Sequence, residues 1–342
     1  MSWQADLAEQ ARAAMPVAMW HYTVSGAGEG VTAHEAARAW QDVRFAPRVL
    51  HDVTHVDLTT TVLDDEVSTP VAVAPTSLQR LAHPEGERAM ARGAARAGAL
   101  HVVSTNAGLP FADVDAGAPW WVQAYLPPTR DDVVPVLGSA GDAGARAVVL
   151  TVDTPLPGTK YLPRDEDWEG IDLSWFRCNF PVPSDTRWTA DLVPDDIGWP
   201  HRTVGLPVVV KGVLRPEDAL RCVEAGAAAV WVSNHGGRQL DRARSTRAAL
   251  PAVAEAVAGR VQVYVDGGIT SGLDVLAALA LGADAVFLGR LPLQALAAGG
   301  EAGVAAALTT LSDELLEGLR LGGCRSTSDA RGLLAPESSG RR

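Results

Sequence analysis

Cysteine is scarce in this 342-residue chain: Cys178, Cys222 and Cys324 are odd in number, far apart and without any C-x-x-C spacing. That argues against a disulfide framework and against a metal site, and it predicts a reducing, cytoplasmic setting. Positive charge is also in short supply. Twenty-nine basic residues face 41 acidic ones, for a net charge of -12, so the whole-chain field repels phosphate backbones and anionic lipid. Neither nucleic acid nor a membrane is expected as a partner. No apolar run approaches the roughly 20 residues that span a bilayer. The N-terminal stretch carries Asp6 and Glu9 where an export signal would be basic, so no signal or anchor is expected. Charged residues make up only 20% against 47% hydrophobic, too apolar for a disordered chain. No Gly/Pro-rich linker exists either, since the 33 glycines and 22 prolines are spread along the sequence. The chain therefore reads as one large domain, with a loose tail from Pro336 onward.

What is present is a regular alternation. Eight short apolar runs, Val71 to Ala74, His101 to Ser104, Trp120 to Tyr125, Ala147 to Val152, Val208 to Lys211, Ala229 to Ser233, Gln262 to Asp266 and Ala283 to Leu288, are separated by stretches of helical pattern. Runs apolar on both sides suit parallel strands covered by helices, and eight of them predict an α/β fold, a single (β/α)8 TIM barrel. An open doubly wound sheet is the competing architecture, because strand and helix periods do not report closure. Pro84 and Pro216, each followed by acids, are expected in first helical turns, and Ser271 with Asp274 reads as a capping box. Val304, Leu308, Leu311, Leu315 and Leu319 form one face of a C-terminal helix ending before Gly322. The expected layout is an N-terminal helical extension over residues 1–69 packing on the barrel, the barrel with its C-terminal helix over 70–335, and a tail at 336–342.

Polar residues at the ends of the runs should line one mouth, where barrel enzymes place their chemistry. SNHGGRQLD, residues 233–241, puts His235 and Arg238 just beyond the sixth run. A lone histidine is more often a structural residue, but two glycines and a neighbouring cation make this one a candidate base. VDGGITSG at 265–272 and FLGR at 287–290 place glycines and Arg290 after the seventh and eighth runs. Each alone could be a tight turn; together they point to a phosphate-bearing cofactor. Neither a P-loop nor a G-x-G-x-x-G fingerprint occurs. Lys211 ends VVVK, where it either snorkels to solvent or meets an anion. Asp153 ends TVD, as a cap or as the carboxylate that orients an imidazole.

These motifs, with HYTVSGAG at 21–28, RFAPRVLHDVTHVDLTTTVL at 44–63, APTSLQRLAHPEGE at 74–87, WVQAYL at 121–126 and GGCRS at 322–326, resemble the FMN-dependent α-hydroxy-acid oxidase and dehydrogenase family over nearly the whole chain. The resemblance implies FMN as cofactor. Pro75, Thr76, Ser77, Ser104, Gln123 and Thr151 would touch the flavin ring and ribityl chain, with Ser233 also on the cofactor side. Lys211 would face the edge where negative charge develops, and Asp266, Gly267, Gly268, Gly289 and Arg290 would hold the ribityl and phosphate. Tyr22, Tyr125 and Arg238 would bind the hydroxy acid, with His235 as general base and Asp153 as its orienting partner. Tyr125 and Lys211 join these two as catalytic residues. A small-molecule substrate, oxygen or another electron acceptor, and a homo-oligomer, often a tetramer, are further implications.

Three departures stand out against that pattern. Lys160 replaces an arginine that pairs the substrate carboxylate, with Arg164 a second candidate nearby; Thr270 replaces a phosphate-binding arginine; and Asn106 stands where many members carry an aromatic. The segment from Lys160 to His201, which would cover the site, is short and holds Trp168, Trp175, Trp188 and Trp199. The leading expectation is oxidation of a 2-hydroxy acid to the 2-oxo acid. An alcohol or amine substrate without the carboxylate is the alternative that Lys160 and Asn106 permit. A flavin-binding protein that does not turn over is the third reading, and it would need none of the substrate-facing residues.

Overall fold

The computed structural model describes residues 2–181 and 188–335; the tail expected at 336–342 lies outside the described residues. An antiparallel hairpin, β1 (Thr60–Val62) and β2 (Asp65–Val67), precedes eight parallel strands: β3 (Val71–Val73), β4 (His101–Ser104), β5 (Trp120–Ala124), β6 (Val148–Thr151), β7 (Val208–Val213), β8 (Ala229–Val232), β9 (Gln262–Val265) and β10 (Ala285–Leu288). The last strand pairs with the first, Val286 beside Val71, so the sheet is a closed barrel and not an open one.

The alternation along each strand divides the core in two. Val103, Val122, Val148, Val210 and Val230 face the surrounding helices, whereas Val102, Trp121, Val149, Val209, Trp231, Tyr264 and Phe287 pack together inside. The interior is strongly aromatic: the Trp231 and Phe287 rings lie 3.9 Å apart, and Tyr264 is 5.4 Å from Phe287. The hairpin plugs the lower end. Gln262 Oε1 and the Tyr264 hydroxyl both accept from the backbone N–H of Leu63, and Trp121 Nε1 donates to the buried Asp65, which also pairs with Arg146. Large rings fill the barrel interior below the C-terminal ends of the strands, where barrel enzymes place their chemistry.

The N-terminal segment completes that upper rim. It forms α1 (Trp3–Ala14), α2 (Val17–Val24) and α3 (Val31–Gln41). Trp40 at the end of α3 donates its indole N–H to the Gly267 carbonyl at 2.7 Å, and the Ala27 N–H donates to the Gly237 carbonyl at 2.8 Å.

Pro216 opens the helix Pro216–Glu224, and Ser271 and Asp274 cap the helix Gly272–Ala280 reciprocally. The five-residue apolar stripe is fully buried and the helix ends at Leu321. Pro84, in contrast, lies in the turn before its helix, which begins at Gly86 with Glu85 as the cap. The C-terminal helix is also longer than its stripe, spanning Arg290–Leu321 with a break at Gly299 and Gly300. Contrary to the reading of the sequence, this one helix has the length and apolar composition of a membrane span. Half of its apolar window is buried within the fold, and Gly300 at φ +56 interrupts it.

Candidate active site

At the C-terminal mouth lies a cavity of about 340 Å³, walled by Tyr22, Pro75 to Ser77, Ser104, Gln123, Tyr125, Thr151, Lys211, His235, Arg238, Asp266 to Thr270 and Gly289 to Leu291. A larger hollow, about 740 Å³, opens at the opposite end. Of its carboxylates, Asp64, Glu255 and Asp284, the last is already satisfied by Arg331 and the Val263 N–H, and the hollow lies away from the C-terminal strand ends where barrels place their chemistry.

His235 stands at φ +57, a conformation a residue with a Cβ adopts rarely, with Gly236 and Gly237 also left-handed after it. The turn is held from both sides. The His235 N–H donates to Ser233 Oγ, and a Cβ on Gly237 would come within 2.6 Å of the Ala33 backbone nitrogen in α3. Its ring Nδ1 lies 2.9 Å from Asp153 Oδ1, across the barrel mouth from the end of β6. Burial alone would raise the Asp153 carboxyl, but His235, Lys211 and the Thr154 hydroxyl outweigh it and hold the group below the ordinary aspartate range. An ionised Asp153 accepts the Nδ1 proton and so leaves Nε2 as the nitrogen able to take another.

Thr154 and Gln239 extend this arrangement, and the sequence reading missed both. Thr154 Oγ1 donates to Asp153 Oδ1 at 3.0 Å; Gln239 Nε2 donates to Thr154 and its Oε1 accepts from the Gly158 N–H. The signal was present, since Gln239 lies inside the SNHGGRQLD segment, four residues after the histidine.

Along the inner wall Ser77, Ser104, Gln123 and Thr151 form one hydrogen-bonded row, with Ser104 donating to Gln123 Oε1 at 3.0 Å and Gln123 Nε2 donating to Thr151 at 3.1 Å. Lys211 closes the row. Its ammonium is 2.9 Å from Ser233 Oγ, 3.2 Å from Asp266 Oδ2 and 5.4 Å from the centre of the Trp231 ring beneath. Ser233 is thus buried behind the lysine and outside the wall. Asp266 Oδ1 has no hydrogen-bond partner although it is buried, a free acceptor for a ligand hydroxyl.

Arg238 and Arg290 share the Ser25 carbonyl as acceptor, at 3.2 and 3.1 Å, and Arg290 also donates to the Thr23 carbonyl. Among the described residues neither guanidinium has a carboxylate at ion-pair distance. Burial, followed by repulsion from Arg238, pushes Arg290 down to about 10. Two cations gathered in one wall without a counter-ion call for an anionic ligand. Gly267 and Gly268, at φ +89 and +82, bring the backbone to the same end of the cavity, and a Cβ on Gly268 would lie 2.3 Å from the Ala36 carbonyl oxygen. The start of the helix Gly272–Ala280, however, is already saturated: Asp274 accepts from the N–H groups of Thr270 and Ser271, and Glu314 from that of Gly272. The phosphate donors expected at 265–272 therefore reduce to the glycine pair.

On the substrate side, Arg238 stacks 4.4 Å over the Tyr22 ring, and burial keeps the Tyr125 phenol protonated far above the usual range, with Asp153 adding to the effect. Two other expected contacts lie outside the wall. Lys160 donates to the Gly158 carbonyl at 2.8 Å; burial and then Arg238 lower it to about 8. Asn106 is buried, but its Oδ1 accepts from Arg177 Nε at 2.7 Å. Arg164 is exposed, paired with Glu166, and is not among the residues lining the cavity. Of the four tryptophans between 160 and 201, Trp188 reaches a wall residue, edge-on to Tyr125 at 6.2 Å, while Trp175 covers Arg80. Gln4 of α1 also enters the wall, a position with no motif to mark it.

A family profile for FMN-dependent dehydrogenases matches residues 11–170 and 179–335. Among curated relatives, glycolate oxidase 3 of Arabidopsis thaliana is 40% identical, over 92% of this chain and 90% of its own. 2-Hydroxyacid oxidase 2 of Bos taurus is 36% identical, over 95% of each. Among solved structures, mandelate oxidase with (S)-2-phenylpropionate superposes with a TM-score of 0.90 at 37% identity, covering 96% of this chain and 97% of that one. With this similarity running from residue 11 through the barrel to residue 335, the chain belongs to the FMN-dependent dehydrogenase family.

Proposed function

We propose that the protein oxidises a 2-hydroxy acid to the corresponding 2-oxo acid with FMN as its cofactor. The residues present fit that cofactor: the unpaired Arg290 and the glycine pair suit its one phosphate, the partnerless Asp266 oxygen suits a ribityl hydroxyl, and the Ser77-to-Thr151 row suits the polar edge of the ring. When bound, FMN supplies the two-electron acceptor.

The protein's own groups handle the substrate and its protons. Arg238, kept flat on Tyr22, presents a guanidinium to the carboxylate, and Tyr125 offers a protonated hydroxyl as a donor. Of the two hydrogens the substrate loses, His235 Nε2 takes one as a proton and the other would pass with the electron pair to bound FMN, while Asp153 stabilises the resulting imidazolium from the other side of the ring. Lys211, fixed by Asp266 and Ser233, would place its ammonium where bound FMN gains negative charge.

The single observation that carries this reading is the Asp153–His235 pair beside a cavity with a free guanidinium wall. Anaerobic mixing of the FMN-loaded protein with glycolate, lactate and mandelate tests it. Bleaching of the flavin by at least one acid is expected, and no bleaching by any would overturn it. One observation favours an alcohol or amine instead: Lys160 sits on the Gly158 carbonyl, outside the wall. Equal binding of an acid and its methyl ester would support that second reading. Oxygen as acceptor is supported by relatives named oxidases, and a cytoplasmic location by three free cysteines. Assembly into a homo-oligomer is supported by Val49 and Leu50, 77% and 103% exposed side by side.

A further inference from the structure

We infer that Gln4, in the first turn of α1, is a cofactor-binding residue that donates an amide hydrogen to the FMN phosphate; the inference rests on FMN being the cofactor. Gln4 lines the same cavity as Gly268, Thr270 and Arg290. Its Nε2 donates to the Thr270 carbonyl at 3.1 Å, which uses one of two amide hydrogens and fixes the direction of the other.

The supply of donors at this end explains why a neutral amide matters. Thr270 cannot serve, because its N–H and its hydroxyl both go to Asp274. The first N–H groups of the following helix are held by Asp274 and Glu314, and these two carboxylates add negative charge behind the site. Of the wall's two arginines, Arg238 lies over Tyr22 on the substrate side, which leaves Arg290 as the arginine for a phosphate carrying about -1.5 to -2. A side-chain amide adds a donor without the desolvation cost of a second buried charge.

The placement is also built. Trp3, the neighbour of Gln4, donates its indole N–H to Glu314 Oε1 at 2.6 Å, while the other oxygen of Glu314 accepts from Gly272. One carboxylate thus ties α1 to the helix that begins beside Thr270, and the Gln4 backbone is positioned independently of its own side chain.

The test is binding of FMN and of riboflavin, which lacks the phosphate, to the apoprotein, followed by quenching of flavin fluorescence. Gln4→Ala should weaken FMN by about five- to tenfold, the worth of one hydrogen bond to a charged group, and leave riboflavin unchanged. Gln4→Glu should weaken FMN further, through repulsion, again without affecting riboflavin. Unaltered FMN affinity in Gln4→Ala would overturn the assignment. Equal weakening of both flavins would also overturn it, since that is the signature of α1 packing alone. Failure of the parent protein to bind FMN would instead remove the cofactor reading itself, and the Gln4 assignment with it.

Discussion

Asp153 Oδ1 lies 2.9 Å from His235 Nδ1, while the second oxygen of the same carboxylate is buried without a hydrogen-bond partner. A half-satisfied buried carboxylate is costly, and it is tolerated here because the opposing imidazole, Lys211 and Thr154 all favour its charge. The relationship fixes which histidine nitrogen is free and therefore which group can act as base.

His235→Gln should leave FMN bound but slow flavin reduction by about two to four orders of magnitude, the usual worth of a positioned general base. Asp153→Asn should slow it too, because an amide can donate to Nδ1 and favour the wrong tautomer. Stopped-flow reduction under anaerobic conditions reads both. Since Asp153 titrates below the ordinary aspartate range, its charge is lost only as pH falls through that depressed value. The reduction rate should consequently show no loss attributable to Asp153 between pH 5 and 7, in a pH series that about two units of buffer would cover. A variant reducing at the parental rate would show that another group takes the proton.

Asp274→Ala tests the saturated helix start. The carboxylate accepts from Thr270 N–H, Thr270 Oγ1 and Ser271 N–H, and is itself part of the capping box. Its loss should destabilise the fold by about 1–2 kcal/mol, as for other removed helix caps, measured as a lowered denaturation midpoint at constant slope. An unchanged midpoint would mean that water replaces the carboxylate without cost.

The barrel was legible because its signal is repeated: eight apolar runs with polar ends leave little freedom once they must all be parallel. His235, Arg238, Asp153 and Lys211 were legible for a related reason, since each sits at the end of such a run or within five residues after it. The misses follow from contacts that bridge distant segments. Nothing around Gln4 predicts that α1 reaches Thr270, 266 positions away, and nothing around Asn106 announces Arg177. Pro84 was misplaced by two residues because a proline preceding acids suits both a first helical turn and the turn before it. Glycines at 267 and 268 were read as phosphate donors, but the structure gives Gly268 a second requirement, close approach to α3.

That requirement makes Gly268→Ala informative. At φ +82 a Cβ is strained in any surroundings, and here it would stand 2.3 Å from the Ala36 carbonyl oxygen, an atom that moves only with α3. The substitution should cost more than about 1 kcal/mol and loosen α3 from the rim. Hydrogen exchange at Ala36 and Trp40 should quicken more than exchange in the barrel strands. Equal protection in variant and parent would show that the backbone adjusts at no cost.

Lys160 separates the two readings of the substrate. Burial and the neighbouring Arg238 lower its ammonium to about 8, so the charge is present below that pH and is lost as pH rises through it. If Lys160 contributes to recognition of a carboxylate, the dissociation constant of an unreactive 2-oxo acid should rise by about fivefold between pH 7 and 9, the effect of roughly 1 kcal/mol for a partly exposed charge. Lys160→Arg should abolish that pH dependence and bind at least as well, because a guanidinium stays charged throughout and matches a carboxylate with two donors. Lys160→Ala should also be flat with pH, but at the weaker level. A methyl ester should bind equally to all three proteins at both values of pH. A flat profile in the parent, with acid and ester bound alike, would remove Lys160 from recognition and favour a substrate that has no carboxylate.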